Sequence, residues 1–402
     1  MSDLSPKIRF KGFTEEWEQH KFGEFGTISM NKRVFKSQTS EQGDIPFYKI
    51  GTFGGTADAY ITKELFEEYK MKYPYPNKGD ILVSASGSIG KTVEYTGELA
   101  YFQDSNIVWL NHAESLNNSF LKQLYLIVKW NGLEGSTIKR LYNSNFLDTD
   151  ICVPNLIEQQ LLGEYFDKID NLITLHQRKY DKLLRMKKSL LEKLFPNNGE
   201  TIPSIRFKGF AKDWEQYKYE EIGCSLTGGN LSYNDLKEEG KYKCVLYGEL
   251  YTRYDTIIND IVNRTNKEGI TIKNNDILFP QSTTVDAISL ISPACMNEKS
   301  AQTAGVFVIR PNNNIDGNFI TYYTRGNTSQ KYKLSTKAQG LTIIHLYYQS
   351  IKDETILIPS LEEQKKISTL FMKLDSLIRL YQQKVETLKK LKSSLLNQMF
   401  AQ

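Results

Sequence analysis

Residues 154–195 read PNLIEQQLLGEYFDKIDNLITLHQRKYDKLLRMKKSLLEKLF, and residues 359–400 read PSLEEQKKISTLFMKLDSLIRLYQQKVETLKKLKSSLLNQMF. In both stretches apolar side chains recur at alternating steps of three and four residues, which is the spacing of a coiled-coil seam. We therefore predict two long helices, the first about 58 Å long at about 1.5 Å per residue. The predicted seam consists of Phe166, Ile169, Ile173, Tyr180, Leu183 and Leu190 in the first helix, and of Phe371, Leu374, Ile378, Val385, Leu388 and Leu395 in the second.

Signals for the helix ends agree with this period. Asn155 and Ser360 precede Glu158 and Glu363 by three residues, which is the spacing of a capping box. The first helix is predicted to end at Phe195, before a Pro-Asn-Asn-Gly sequence.

A single helix of this length cannot bury its seam alone. Two matching seams in one chain predict that the helices pack on each other, antiparallel if the two halves are related by a pseudo-twofold axis. In the alternative interpretation each helix packs onto its own globular half. Lys187 and Lys188 favour the pair, because lysines interrupt a fully buried face.

The whole frame of the chain is repeated. Residues 6–22 return at 203–219 with eleven of seventeen positions identical, at an offset of 197. A second block begins at Gly135 and returns at Gly340 at an offset of 205, and nineteen of its last 46 positions are identical. The segments between these blocks look mostly unrelated, so two equivalent frames enclose different interiors.

These patterns predict an α+β fold in which two β-rich mixed domains are separated by two long antiparallel coiled-coil helices, with an internal pseudo-twofold repeat. Short apolar runs bounded by turn residues, such as 80–84 and 276–279, are the predicted strands. The predicted boundaries are 1–153 for the first domain, 154–198 for the first helix, 199–358 for the second domain and 359–402 for the second helix.

Composition excludes several classes of protein. The 402 residues carry 51 basic and 47 acidic side chains, and no apolar run approaches the roughly 18 residues of a membrane span. The four cysteines are far apart, so neither a disulfide framework nor a structural zinc site is expected. We expect a soluble cytoplasmic protein.

Motifs for catalysis are weak or missing. Residues 85–92 (ASGSIGKT) fit a relaxed phosphate loop, but the residues that follow predict a strand and a turn where such a loop requires a helix. A small-residue loop that approaches backbone or a DNA phosphate is the favoured interpretation. We found no adenine-methyltransferase motif and no convincing cluster of nuclease carboxylates, and we expect no cofactor or metal in this chain.

Basic and aromatic side chains alternate in two places. Residues 317–352 contain five basic side chains among tyrosines and no acidic residue, and residues 122–142 show a similar mixture. Such interleaving suits nucleic acid, although a solvated surface over core aromatics gives the same pattern. These residues alone leave the choice open.

The repeated IRF-x-GF-x-x-x-W opening, the Pro-x-Leu-x-Glu-Gln helix entry and the DILVSxSGSIGKT stretch resemble the specificity subunit of type I restriction-modification enzymes. Nearly the whole chain follows that family's order of variable and frame segments. The second half departs from the pattern at 275–286, where the glycine loop is lost.

The resemblance implies a non-catalytic subunit that binds double-stranded DNA. Each domain would read one part of a bipartite, asymmetric site, and the helices would hold the two at fixed separation. Expected partners are two methyltransferase subunits, which use S-adenosylmethionine, and restriction subunits, which use ATP and Mg²⁺.

Polar and basic side chains near the variable loops are the candidates for DNA contact. They are Ser84, Ser86, Ser88, Lys91, Lys129, Lys139 and Arg140 in the first half, and Gln281, Ser282, Thr283, Arg325, Lys331, Lys333 and Lys337 in the second. Two other functions stay open: a tandem scaffold that joins partner proteins without DNA, and an enzyme that uses the loop at 85–92.

Overall fold

The computed structural model describes residues 4–132, 139–197 and 199–401. Gly135, where the second repeated block begins, and Asn198, at the predicted end of the first helical segment, lie outside the described residues. The chain divides into two compact units: unit 1 comprises residues 1–177 and 383–402, and unit 2 comprises residues 178–382. Each unit therefore contains one globular half and a part of both long helices.

Unit 1 is a mixed α+β structure built on small sheets. Its strands are β1 (Glu18–Lys21), β2 (Thr27–Ser29), β3 (Ile45–Tyr48), β4 (Tyr60–Ile61), β5 (Ile81–Ser84), β6 (Thr92–Glu94), β7 (Tyr101–Phe102), β8 (Ile107–Asn111) and β9 (Asp150–Val153). The sheets have the strand orders β2-β8-β5-β6, β4-β3-β7 and β1-β9. Its helices are α1 (Phe22–Phe25), α2 (Lys63–Lys72), α3 (Asn118–Leu124), α4 (Asn143–Leu147) and the first part of α5 (Leu156–Lys193), with a 3-10 turn at Lys36–Gln38.

Unit 2 has the strands β10 (Glu215–Lys218), β11 (Gly223–Leu226), β12 (Tyr242–Leu246), β13 (Ile257–Ile258), β14 (Arg264–Thr265), β15 (Ile270–Lys273), β16 (Ile277–Pro280), β17 (Ser282–Thr283), β18 (Ala294–Met296), β19 (Ser300–Ala304), β20 (Val306–Pro311), β21 (Ile344–His345) and β22 (Thr355–Ile358). Its sheets have the strand orders β11-β20-β16-β18-β13, β14-β12-β19-β15, β17-β21 and β10-β22. Its helices are α6 (Glu249–Thr252), α7 (Ala287–Leu290), α8 (Gly317–Gly326), α9 (Thr328–Ser335), α10 (Tyr348–Ile351), the last part of α5 and the first part of α11 (Leu361–Met399), with a 3-10 turn at Tyr233–Asp235. The last part of α11 belongs to unit 1.

Strands β5 and β16 arise from the same kind of sequence pattern. Every residue of β5 (ILVS) and of β16 (ILFP) is buried, so both faces of each strand are covered and the sequence shows an apolar run without alternation. The predicted fold class and the predicted central strands are confirmed.

The repeated frame segments pair with each other within each unit. Glu18 of β1 lies opposite Val153 of β9, and Glu215 of β10 lies opposite Ile358 of β22. These partners are related by the sequence offsets of 197 and 205. In each half, the first repeated block and the second thus contribute one strand each to a two-stranded antiparallel sheet. This pairing explains why both blocks occur in both halves of the chain.

In each half, a buried ion pair joins the first repeated block to the start of a long helix. Arg9 donates two hydrogen bonds of 2.7 Å to Glu158, and Arg206 donates bonds of 2.7 and 2.8 Å to Glu363. Both glutamate side chains are 1% exposed. Hydrogen bonding to the carboxylates raises the pKa of both guanidinium groups.

This arrangement corrects one detail of the predicted capping boxes. Asn155 accepts from the Glu158 backbone N–H at 3.0 Å, and Ser360 accepts from that of Glu363 at 3.4 Å, so the two caps are present. The glutamate side chains bond to arginine, however, because an arginine fork binds a buried carboxylate more strongly than one backbone N–H does.

The long helices pack antiparallel within each unit. In unit 1, Lys392 of α11 contacts Asp170 of α5 at 2.6 Å. In unit 2, Lys187 of α5 contacts Asp375 of α11 at 2.6 Å. Asp375 is the repeat counterpart of Asp170, and Lys392 is that of Lys187, both at the offset of 205. In each pair, a seam lysine is neutralised by an aspartate of the opposite helix.

The twelve predicted seam residues are all at least partly shielded from solvent. Phe166, Ile169, Phe371, Leu374 and Val385 are buried, and the other seven are partly buried. The ends of the seam also enter the globular cores; for example, the Phe166 ring lies 5.8 Å from Phe400 in a cluster with Trp17. The ends of the seam therefore pack into the cores of the globular halves.

Candidate nucleic-acid interface

The loop between β5 and β6 is held by its own polar groups. The Ser84 hydroxyl donates to the Ser88 carbonyl and accepts from the Lys91 backbone N–H at 3.0 Å. Gly87 and Gly90 adopt positive φ angles of 66° and 81°, which favour glycine. Strand β6 follows the loop, so the prediction that no phosphate-loop helix follows is confirmed.

Ser86 and Arg140 meet at this loop although they are far apart in sequence. They form an isolated antiparallel bridge, and both contact Asn106 in the turn before β8. The Ser86 hydroxyl lies 2.7 Å and the Arg140 Nη2 atom 3.3 Å from the Asn106 Oδ1 atom. The loop, this turn and Arg140, near the start of the second repeated block, thus form one polar cluster.

The cluster borders a cleft of about 640 Å³ in unit 1. Four basic and three acidic side chains line it, and two ion pairs, Arg33–Asp104 and Lys49–Asp58, each close at 2.8 Å. The remaining polar lining includes Lys36, Thr39, Ser40, Glu41, Gln103, Ser105, Asn106 and Arg140. A wide polar cleft with basic side chains and amides matches the chemistry of a DNA surface.

The other first-half candidates lie in different places. Lys91 donates to the Phe53 carbonyl and holds the neighbouring loop. Ser88 and Lys139 are exposed. Lys129 lines a separate groove beside Asp150 of β9, away from the cleft lining. Ser84 is 1% exposed, so its role is to support the loop.

The second half builds the equivalent loop without glycine. Ser282 and Thr283 form β17, which pairs with β21, and the Gln281 carbonyl accepts from the Leu346 N–H at 3.0 Å. In the first half the Ala85 carbonyl accepts from Leu141 in the same way, at 2.8 Å. The two loops therefore occupy the same place in their domains despite different sequences.

The equivalent positions carry different side chains. Ser86 faces Arg140 in unit 1, whereas Ser282 faces His345 in unit 2. From the strand registers, Gly305 stands where the first half has Asn106. The frame is repeated, but the polar cluster is not.

Arg325 lies in a network that joins α8 to the long helices of unit 2. It contacts Asp255 at 2.9 Å, and Asp255 also contacts Lys187 at 3.3 Å. Burial lowers the pKa of Arg325. Its contacts within unit 2 give Arg325 a structural role.

Lys333 and Lys337 both face Glu354. The Lys333 Nζ atom lies 2.9 Å from the Thr355 carbonyl, 2.8 Å from the Thr355 hydroxyl and 3.3 Å from Glu354, and Lys337 lies 2.6 Å from Glu354. All three N–H groups of Lys333 thus have acceptors. Lys331, another of the predicted DNA-contact residues, has no ion pair among the residues described here.

Lys331 lies beside the β17 loop and α7. Burial lowers its pKa, the charge of Arg325 lowers it further, and Asp286 opposes both effects. A bound phosphate would favour the charged form of this lysine, so Lys331 is suited to an anionic ligand.

Residues 32–36, Gln103 and Asn106 are absent from our sequence-based candidates. One signal was available for the first group, since residues 26–40 contain Lys32, Arg33 and Lys36 and no acidic residue. Gln103 and Asn106 carry no local signal, because their role depends on partners that lie far away in sequence.

Other kinds of site find little support in the part of the chain that the structure describes. Over residues 4–132, 139–197 and 199–401 there is no group of three or more His, Cys, Asp or Glu side chains that could hold a metal ion. No helix in the same residues is long and apolar enough to cross a membrane.

Comparisons with known proteins agree with the repeat. A family model described as the type I restriction modification DNA specificity domain matches residues 14–185 and 211–390. The type I restriction enzyme MjaVIII specificity subunit of Methanocaldococcus jannaschii is 22% identical over 404 residues, 95% of this chain and 92% of that protein. A putative type I restriction enzyme specificity subunit of Haemophilus influenzae is 55% identical over 151 residues, which cover 37% of this chain and only 39% of that relative.

The fold is shared with a solved structure. The S subunit of a type I restriction-modification system from M. genitalium superposes with a TM-score of 0.66 at 14% identity, over 99% of this chain and 100% of that one. With a domain match in each half covering most of its length, this chain belongs to the family of type I restriction-modification DNA specificity subunits.

Proposed function

We propose that each unit of this chain reads one part of a bipartite, asymmetric DNA site. The observation that carries the proposal is the contrast between the repeated frame and the divergent clusters at its loops, Ser86–Asn106–Arg140 in one half and Ser282–Gly305–His345 in the other. One geometry with two sets of side chains is what reading two different half-sites requires. In this proposal the paired helices set the distance between the half-sites.

Catalysis would come from other subunits. We propose two methyltransferase subunits as partners, which would transfer a methyl group from S-adenosylmethionine to adenine, and restriction subunits that use ATP and Mg²⁺. The chain itself would supply sequence specificity to that complex in the cytoplasm.

A repeated apolar surface on the long helices supports two equivalent docking sites. Leu172 and Leu175 of α5 are 45% and 46% exposed, and their counterparts Leu377 and Leu380 of α11 are 42% and 43% exposed. These leucines lie off the seam, at i and i+3 on their helices. Exposed apolar side chains at matching places in both units fit two copies of one partner.

The test of the proposed function is methylation mapping in a host that lacks DNA methylation. The chain is expressed with a compatible type I methyltransferase subunit whose activity a control confirms. Adenine methylation at one bipartite motif, lost when this chain is omitted, supports the proposal. If an active partner produces no motif, the tandem scaffold without DNA readout becomes the better explanation.

Replacing the exposed leucines should remove one partner at a time. The double variant Leu172→Glu and Leu175→Glu places charge on the proposed docking surface of unit 1, so native mass spectrometry should detect complexes that have lost one methyltransferase copy. Leu377→Glu with Leu380→Glu should do the same for unit 2. Thr174→Glu, an exposed position on another face of α5, is the control; normal assembly of both double variants would contradict the docking surface.

Lys331→Ala should weaken DNA binding by the assembled complex and reduce its salt dependence. One lost phosphate contact lowers the slope of log K against log salt by about 0.9. Lys333→Ala, two residues away on α9, should leave that slope unchanged because its N–H groups are already bonded to Glu354 and Thr355. Equal salt slopes for Lys331→Ala and the wild type would rule out this contact.

A further inference from the structure

We propose that the cleft of unit 1 reads the keto edge of a base, guanine O6 and N7 or thymine O4, through the amide N–H groups of Asn106 and Gln103. The proposal rests on the proposed function, because it names the base chemistry that the first half selects. Both side chains line the cleft together with Arg140.

The orientation of the Asn106 amide follows from its neighbours. A guanidinium group can only donate hydrogen bonds, so the Asn106 atom 3.3 Å from the Arg140 Nη2 atom must be the oxygen. The Ser86 hydroxyl donates to the same oxygen at 2.7 Å. The amide nitrogen is left with two N–H groups that donate to none of the described residues.

Gln103 is fixed by the same logic. Its Oε1 atom accepts from the Ile50 backbone N–H at 2.9 Å, and a backbone N–H likewise can only donate. Its amide nitrogen also has no acceptor among the described residues. The cleft thus presents two preoriented amide NH₂ groups. The oxygen of each amide accepts hydrogen bonds from within the protein.

This pattern decides between the possible bases. An asparagine or glutamine that reads adenine uses both ends of the amide, accepting from N6 and donating to N7. The Asn106 oxygen accepts two hydrogen bonds and has no lone pair left, and the Gln103 oxygen bonds to the Ile50 backbone. The donor ends of the two amides are therefore the groups left without a partner among the described residues. Guanine presents the acceptors O6 and N7 in the major groove, and thymine presents O4, whereas cytosine presents an amino donor. Adenine presents the acceptor N7 beside its N6 amino donor, and that donor finds no free lone pair on the Asn106 oxygen. Positions that face these two amides should therefore carry guanine or thymine.

The second half lacks the arrangement. Gly305 has no side chain to take the place of Asn106, and His345 replaces the arginine. The keto-edge preference is consequently expected in one half-site only, which separates it from any general property of the complex.

Two substitutions at Asn106 test the proposal in the methyltransferase complex. Asn106→Asp keeps an oxygen toward Ser86 and Arg140 but replaces the NH₂ donor by an acceptor, so it should shift one position of one half-site from guanine or thymine towards cytosine or adenine. Asn106→Ala removes the donor and should reduce discrimination at that position about 10- to 100-fold. Methylation mapping against a library of half-site variants measures both.

The controls separate the possible failures. Asn77→Ala, at the opposite end of β5 from the loop, should leave the motif unchanged. An unchanged motif in both Asn106 variants would overturn the proposal, and so would an equal loss of methylation at every half-site variant, which would assign Asn106 to the phosphate backbone. If the wild-type complex with an active methyltransferase methylates no bipartite motif, the proposed function fails independently of these variants.

Discussion

Arg9→Ala should destabilise unit 1 by about 3–5 kcal/mol, because it leaves the Glu158 carboxylate buried without its ion partner. The Glu158 side chain is 1% exposed and is held by two charge-assisted hydrogen bonds from Arg9. The equivalent change in unit 2, Arg206→Ala, should have a similar effect on that unit, since the Glu363 side chain is equally buried. Chemical denaturation with hydrogen exchange at β1, β9, β10 and β22 would locate each loss.

Two matched variants make this test specific. Lys11→Ala changes an exposed charge in the same segment and should alter the free energy of unfolding by less than about 0.5 kcal/mol. Replacing both Arg9 and Glu158 by leucine removes the buried charge as well as its partner and should recover much of the lost stability. The explanation fails if Arg9→Ala is as stable as Lys11→Ala.

A heptad duplication in both long helices should lengthen the DNA spacer and leave the half-site sequences unchanged. Copying residues 171–177 after Gln177 and residues 376–382 after Gln382 preserves the seam and falls where the two units divide. Seven residues add about 10 Å of helix, which corresponds to up to about three base pairs at about 3.4 Å each. Methylation mapping would report the new spacer directly.

A duplication in only one helix is the control for this experiment. It leaves seven residues without a counterpart on the opposite helix, so it should reduce stability and give no single new spacer. If the double duplication retains the original spacer, the helices do not set the distance between the half-sites.

The frame of this protein could be predicted from sequence because its signals are local or repeated. The seam period and the cap spacing each lie within one helix, and the buried runs of β5 and β16 each lie within one strand. The repeat adds independent support, since Lys187 and Lys392 occupy the same step of two helices and each contacts an aspartate of the other helix. The helices and the central strands follow from these features. The family and its function were indicated by the resemblance of the repeated motifs to known specificity subunits.

The residues of the candidate DNA surface were decided by the tertiary structure. Asn106 is 20 residues from Ser86 and 34 from Arg140, and no sequence period links the three. On α9 the phase of the helix separates Lys331 from Lys333, so that one lysine lies near the β17 loop and the other contacts Glu354. A repeating pattern records which face of an element is buried, but the approach of distant polar side chains depends on how the loops between elements pack, and that information exists only in three dimensions.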